Sequence, residues 1–90
     1  MAHARRLRFA TQLNDPLPGL SWLDSAREVE QLGYSTLFVP DHFESGPGPI
    51  ASLAAMAAVT STLNVGILVL DCDFRHPVPL AEELATIDQI

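Results

Sequence analysis

Asp41, His42 and Phe43 follow directly on a short run of β-favouring side chains, Ser35 to Val39. An imidazole placed just beyond a strand end can give and take protons near neutral pH, because its ordinary pKa is about 6.5. A neighbouring carboxylate can orient such a ring or bind a ligand donor. The competing reading is an exposed turn, since Asp and Pro are common turn residues and Pro40 precedes the pair. Asp71, Asp73 and His76 form a second polar cluster further along. Joined with Asp41 and His42, they offer the donor types of a metal site. Metal-dependent barrel hydrolases place histidines on their first strand, and Arg8 to Leu13 contains none, so no metal is expected. Arg75 either contacts an anion or pairs with Asp71 or Asp73, and the pairing is the favoured use. Cys72 has no evident base fixed beside it and reads as a passive loop or core residue. Trp22 reads as helix-interface packing.

The elements that would position these residues alternate along the chain. Leu7 to Leu13 is expected as a strand, ended by Asn14-Asp15-Pro16-Leu17-Pro18-Gly19, where two prolines and a glycine cannot continue a ladder. Ser21 is placed to cap a helix, with Asp24 three residues on. Trp22, Ala26 and Val29 recur at helical spacing as the buried stripe, and Arg27, Glu28, Glu30 and Gln31 form the wet face. Gly33 is suited to the left-handed position just past the helix end. Ser35 to Val39 is the second strand. Pro49 fits the first position of a second helix, whose inner face is Leu53, Ala57 and Thr60 and whose alanines, from Ala51 to Ala58, favour close packing on a sheet. Asn64 to Leu70 is the third strand; its apolar run predicts burial on both faces. Pro79 is expected to open a last helix, with Glu82 and Glu83 in its first turn and a stripe of Leu80, Leu84 and Ile87.

Strand and helix alternating at this spacing predict parallel βα units with right-handed crossovers. An eight-fold barrel and an open doubly wound sheet both satisfy that pattern. The first βα turn has one glycine and two prolines, not the Gly-rich turn of a dinucleotide-binding sheet. The helix-to-strand turns are short, whereas the loops leaving the strands are longer and carry most of the polar groups. In either architecture those loops lie at the carboxyl end of the sheet, the functional end. Loop asymmetry therefore nominates Asn14 to Leu20, Pro40 to Gly48 and Asp71 to Val78.

Ninety residues make at most one domain, and 48% of them are hydrophobic. A chain this short buries little more than roughly 60% of its unfolded surface. So apolar a composition suggests faces meant for neighbours outside these residues. The net charge is −6, with five arginines and no lysine. Arg5, Arg6 and Arg8 read as a solvated, fraying start, and the acidic remainder argues against nucleic-acid binding. One cysteine excludes an internal disulfide. No segment approaches about 18 uninterrupted apolar residues, so neither a membrane span nor a signal peptide is expected and the expected compartment is cytoplasmic.

Tyr34-Ser35-Thr36-Leu37-Phe38-Val39-Pro40-Asp41-His42-Phe43 resembles the second-strand signature of luciferase-like monooxygenases. Ala26 to Gly33 is similar to the helix that precedes it there, Gly66 to Pro77 to the family's third strand and loop, and Ala81 to Asp88 to the helix that follows. The resemblance implies an α/β fold, a parallel βαβαβα segment of a (β/α)8 TIM barrel, with residues 1–90 as the N-terminal part of one barrel domain and no second domain. It implies an oxidoreductase using reduced FMN or the deazaflavin coenzyme F420, the Asp-His pair being more like the deazaflavin branch. By the same likeness His42 is the proton donor or acceptor near the ring, Asp41 helps to hold the ring, and a non-proline cis peptide at Leu68-Val69 packs against it, with Asp71 just beyond. Family members run to roughly 300 residues, so strands four to eight and the cofactor-tail sites are missing, and nothing here selects the small-molecule substrate.

Two other readings compete with the oxidoreductase segment. One is an inactive barrel remnant that self-associates, because three parallel strands leave two unpaired edges and a bare face. The other is the metal-dependent hydrolase. The expected partners are a homo-oligomeric copy or the missing C-terminal part of the barrel.

Overall fold

The computed structural model describes residues 7–42, 46–71, 73 and 75–90. The elements alternate as β1 (Ala10–Gln12), α1 (Trp22–Gln31), β2 (Thr36–Val39), α2 (Pro49–Ala58), β3 (Asn64–Ile67) and α3 (Pro77–Gln89). The strands form one sheet in the order β1-β2-β3, with both pairings parallel. This is the α/β arrangement that the alternation predicts. Arg5, Arg6, Phe43 and Cys72 lie outside the described residues, and the expectations placed on them rest there.

Helix α1 forms where its end signals stand. The Ser21 side chain accepts from the Asp24 N–H, and Gly33 takes φ 93° past the last turn. Gly33 N–H bonds to Glu30 O, and Tyr34 N–H reaches Val29 O, the paired closure that a left-handed glycine allows. Ala26 and Val29 are buried, with Trp22 partly buried against them. Ser25 is buried too, and its Oγ accepts the Leu17 N–H at 2.9 Å, which pins the β1 loop to α1.

Register places Leu37 beside Thr11 and Val65, and Val39 beside Ile67. Alternation puts these residues on one face. Leu37 and Val39 are fully buried there, with Ala26, Val29, Leu53, Met56 and Leu63. The other face carries Gln12, Phe38 and Gly66 in one row of the register. A Cβ on Gly66 would lie 2.8 Å from Phe38 Cε1, so the phenyl ring occupies the space that any other residue would need.

Several expected boundaries move. β1 is only Ala10–Gln12, because the residues before it have no strand beside them. β3 ends at Ile67 and is only half-buried on its helix side, not buried on both faces, since helices cover one face only. In α2 Met56 is buried in place of the expected Ala57 and Thr60, and several of its alanines are exposed. Helix α3 begins at Pro77, so Glu82 and Glu83 fall beyond its first turn and the expected dipole role does not apply. It packs against α2, with Leu84 and Ile87 partly buried and no residue fully buried.

Candidate functional site

Because the strands are parallel, Gln12, Val39 and Ile67 all end at the same side of the sheet. The pairing runs one step beyond the strands, with Leu13 N–H bonding to Phe38 O and Leu68 N–H to Val39 O, each at 3.0 Å. The chain leaving β2 and the chain leaving β3 therefore emerge side by side. Asp41 stands in the first and the turn Leu68 to Asp71 in the second.

Asp41 is buried, its side chain 3% exposed. Its Oδ2 accepts the Asp71 N–H at 2.8 Å. Both carboxylate oxygens also accept from Arg75: Nη1 donates to Oδ2, and Nη2 donates to Oδ1 at 3.1 Å. Nη1 reaches the Asp71 carbonyl as well, at 3.4 Å. The Arg75 bonds hold the Asp41 carboxyl below the usual carboxylate range, helped by the Asp71 N–H and opposed by burial. The Arg75 guanidinium is held the more firmly protonated by the same pair. Fork-to-carboxylate pairing of this kind is among the stronger hydrogen-bond geometries in proteins.

The pairing corrects the expectation for Arg75. Its partner is Asp41 across the sheet, not the side chain of nearby Asp71 or Asp73. Asp71 Oδ1 instead accepts the Asp73 N–H at 2.9 Å, a local turn. His76 joins neither group: its Nδ1 accepts the Val78 N–H at 3.2 Å and caps α3. Among the described residues no group of three His, Cys, Asp or Glu side chains is arranged to hold a metal ion.

His42 is exposed next to the Asp41 clasp. The Leu68-Val69 peptide bond is cis, and both side chains are open, Leu68 at 46% and Val69 at 74% exposure. The Leu68 carbonyl accepts from Gln12 Nε2 at 3.4 Å, and that amide also donates to Asn14 Oδ1. Gln12 thus reaches from β1 to the turn after β3. Sequence reasoning missed it; the one signal was its place as the last residue of a strand that ends at the loop-rich side. The result is an apolar patch, Leu68 and Val69, on a turn that Gln12 and Asp41 hold from two neighbouring strands.

Residues 9–90 match the luciferase-like monooxygenase family. The chain belongs to this family. It is 32% identical over 80 residues to the 4-hydroxyprotoasukamycin monooxygenase of Streptomyces nodosus subsp. asukaensis, a match covering 81% of this chain and 22% of that enzyme. The chain therefore spans under a quarter of the length of the curated relative it matches. No solved structure gives a significant match. The expected family, and with it the reading of the three βα units as part of a barrel, is what the match and the parallel sheet support. No helix among the described residues is long and apolar enough to cross a membrane.

Proposed function

We propose that these residues form the ring-facing segment of a flavin- or deazaflavin-dependent oxidoreductase barrel, acting on a small-molecule substrate, with His42 exchanging a proton beside the ring. The observation that carries this reading is the convergence at one sheet end of His42 and the exposed Leu68-Val69 turn, held together through Asp41. An open apolar patch between polar groups suits the face of a planar, partly polar ring. The only arginine described at this end is committed to Asp41, so the phosphate or tail of such a cofactor would be held by residues outside this segment.

A bound reduced flavin or deazaflavin would supply the reducing equivalents. The chain's own residues do the rest. Leu68 and Val69, both exposed, would lie against a face of such a ring and exclude water from it. Asp71, its backbone fixed, defines one border of the patch. His42 would hold or release a proton at an imidazole nitrogen, the acid–base chemistry that a histidine side chain supplies. Asp41 helps to hold the ring by keeping its neighbours in place.

The test is titration of the full-length protein with FMN and, separately, with F420, followed by fluorescence. Saturable binding of one ring supports the reading and names the cofactor. Absence of binding to both would sink it. With the cofactor known, His42→Gln should leave the dissociation constant within about threefold and lower turnover by about 100-fold or more.

A second reading has its own support. Phe9 and Ile90 are 62% and 95% exposed, and β1 and β3 are both sheet edges among the described residues. Further barrel strands, or a second copy of the chain, would cover such surfaces. Size-exclusion chromatography at low protein concentration separates a monomer from an assembly.

A further inference from the structure

We infer that Arg75 is a positioning residue: its guanidinium fixes the chain after β2 against the turn after β3, by gripping the Asp41 carboxylate and the Asp71 carbonyl together. The inference deepens the proposed function, on which its consequence at the ring rests.

The geometry is specific. Asp71 is held through both of its backbone groups, its N–H by Asp41 and its carbonyl by Arg75. Asp41 in turn accepts one bond from the Asp71 backbone and two from the planar fork of Arg75. Remove the fork and both Asp41 oxygens lose their charged partner, Oδ2 keeping only the Asp71 N–H, while the Asp71 carbonyl loses its contact. A lysine keeps the charge but not the paired geometry, because its ammonium is a point donor. With its oxygens committed in this way, Asp41 influences a ring through Arg75 and Asp71, not through a free carboxylate of its own. His42 is bonded covalently to Asp41, and Leu68-Val69 lies within three residues of Asp71, so the clasp sets the distance between the proton carrier and the apolar patch.

The experiment compares wild type, Arg75→Met and Arg75→Lys in the full-length protein. Amide hydrogen exchange reads the clasp without any cofactor. In Arg75→Met the segments Pro40–His42 and Leu68–Asp71 should exchange about tenfold faster or more, with Ser61–Leu63 at the opposite sheet end unchanged. Arg75→Lys should recover part of that protection, and it carries the test if the methionine variant does not fold. Equal exchange in wild type and variant overturns the inference. The second readout is the dissociation constant for whichever ring the wild type binds, expected to rise about tenfold in Arg75→Met. Looser loops with unchanged ring affinity would reduce Arg75 to a structural tie and overturn the positioning role. A wild type that binds neither ring removes the proposed function instead, and the exchange comparison alone then decides whether the clasp holds the two loops.

Discussion

Each end of the sheet is tied by one carboxylate that accepts backbone N–H groups, three at Glu30 and one at Asp41, and the two ties differ in kind. At the amino end Glu30, on α1, accepts from Ser61, Thr62 and Leu63 through one oxygen, at 2.7, 2.7 and 2.9 Å. That interaction fastens the turn between α2 and β3 to α1, and its donors are peptide groups and the Thr62 hydroxyl. At the carboxyl end Asp41 is buried and carries a charged partner. Both carboxyls are held below their ordinary range, Glu30 chiefly by the Thr62 and Leu63 N–H groups and Asp41 chiefly by Arg75. A half-buried carboxylate on peptide donors is a fastening that water can partly replace. A buried carboxylate on a guanidinium is not, and it is costly to break from either side. In parallel α/β folds the amino end serves stability and the carboxyl end serves the site, and the stronger tie lies where placement of side chains matters most.

The most damaging change should be Asp41→Ala. It strands a half-buried guanidinium and the Asp71 N–H, and should cost about 3 kcal/mol, read as a lower urea midpoint. Gly66→Val touches neither end and tests the open face between them. Its Cβ would collide with Phe38, so a loss of about 2 kcal/mol is expected, and Phe38→Ala should restore part of it. Acid acts on both ends together. Each carboxyl has a folded pKa below its unfolded value, so each contributes fully above the ordinary range of about 4 and loses its contribution as pH falls through the folded value. Denaturation curves taken at stepped acidic pH should show that loss in wild type and a shallower one in Asp41→Asn and Glu30→Gln. Glu30→Ala should lower the urea midpoint less than Asp41→Ala, speed exchange at Ser61–Leu63 and leave ring affinity unchanged. An effect on ring binding as large as that of Asp41→Ala would erase the distinction between the ends. Least of all, Arg27→Ala removes an exposed pair with Asp24 one helical turn away, worth about 0.3 kcal/mol.

Local signals made the architecture legible. Ser21, Gly33 and Pro49 mark helix ends by chemistry that acts within a few residues, and all three stand where they were expected. The third strand was read too long and too buried, because its apolar run reflects a barrel environment of which these residues supply one helical layer. In the candidate site, position was legible and partnership was not. His42, Asp41 and the cis Leu68-Val69 turn follow from residue type, loop length and family resemblance. The Arg75 pairing did not, since its nearer carboxylates, at 71 and 73, are closer in sequence than the one it meets across the sheet. Glu30 looked like one more solvated helix charge, because nothing local reveals three peptide groups arriving from the next crossover.

The strand order has a consequence for how the molecule is made. Each strand pairs with the one synthesised just before it, β2 with β1 and β3 with β2. As the nascent polypeptide leaves the ribosome, every new strand meets a template already in place, and no long excursion of unpaired chain separates the partners. Assembly can therefore follow translation, and each added unit extends the growing edge instead of reopening what came before.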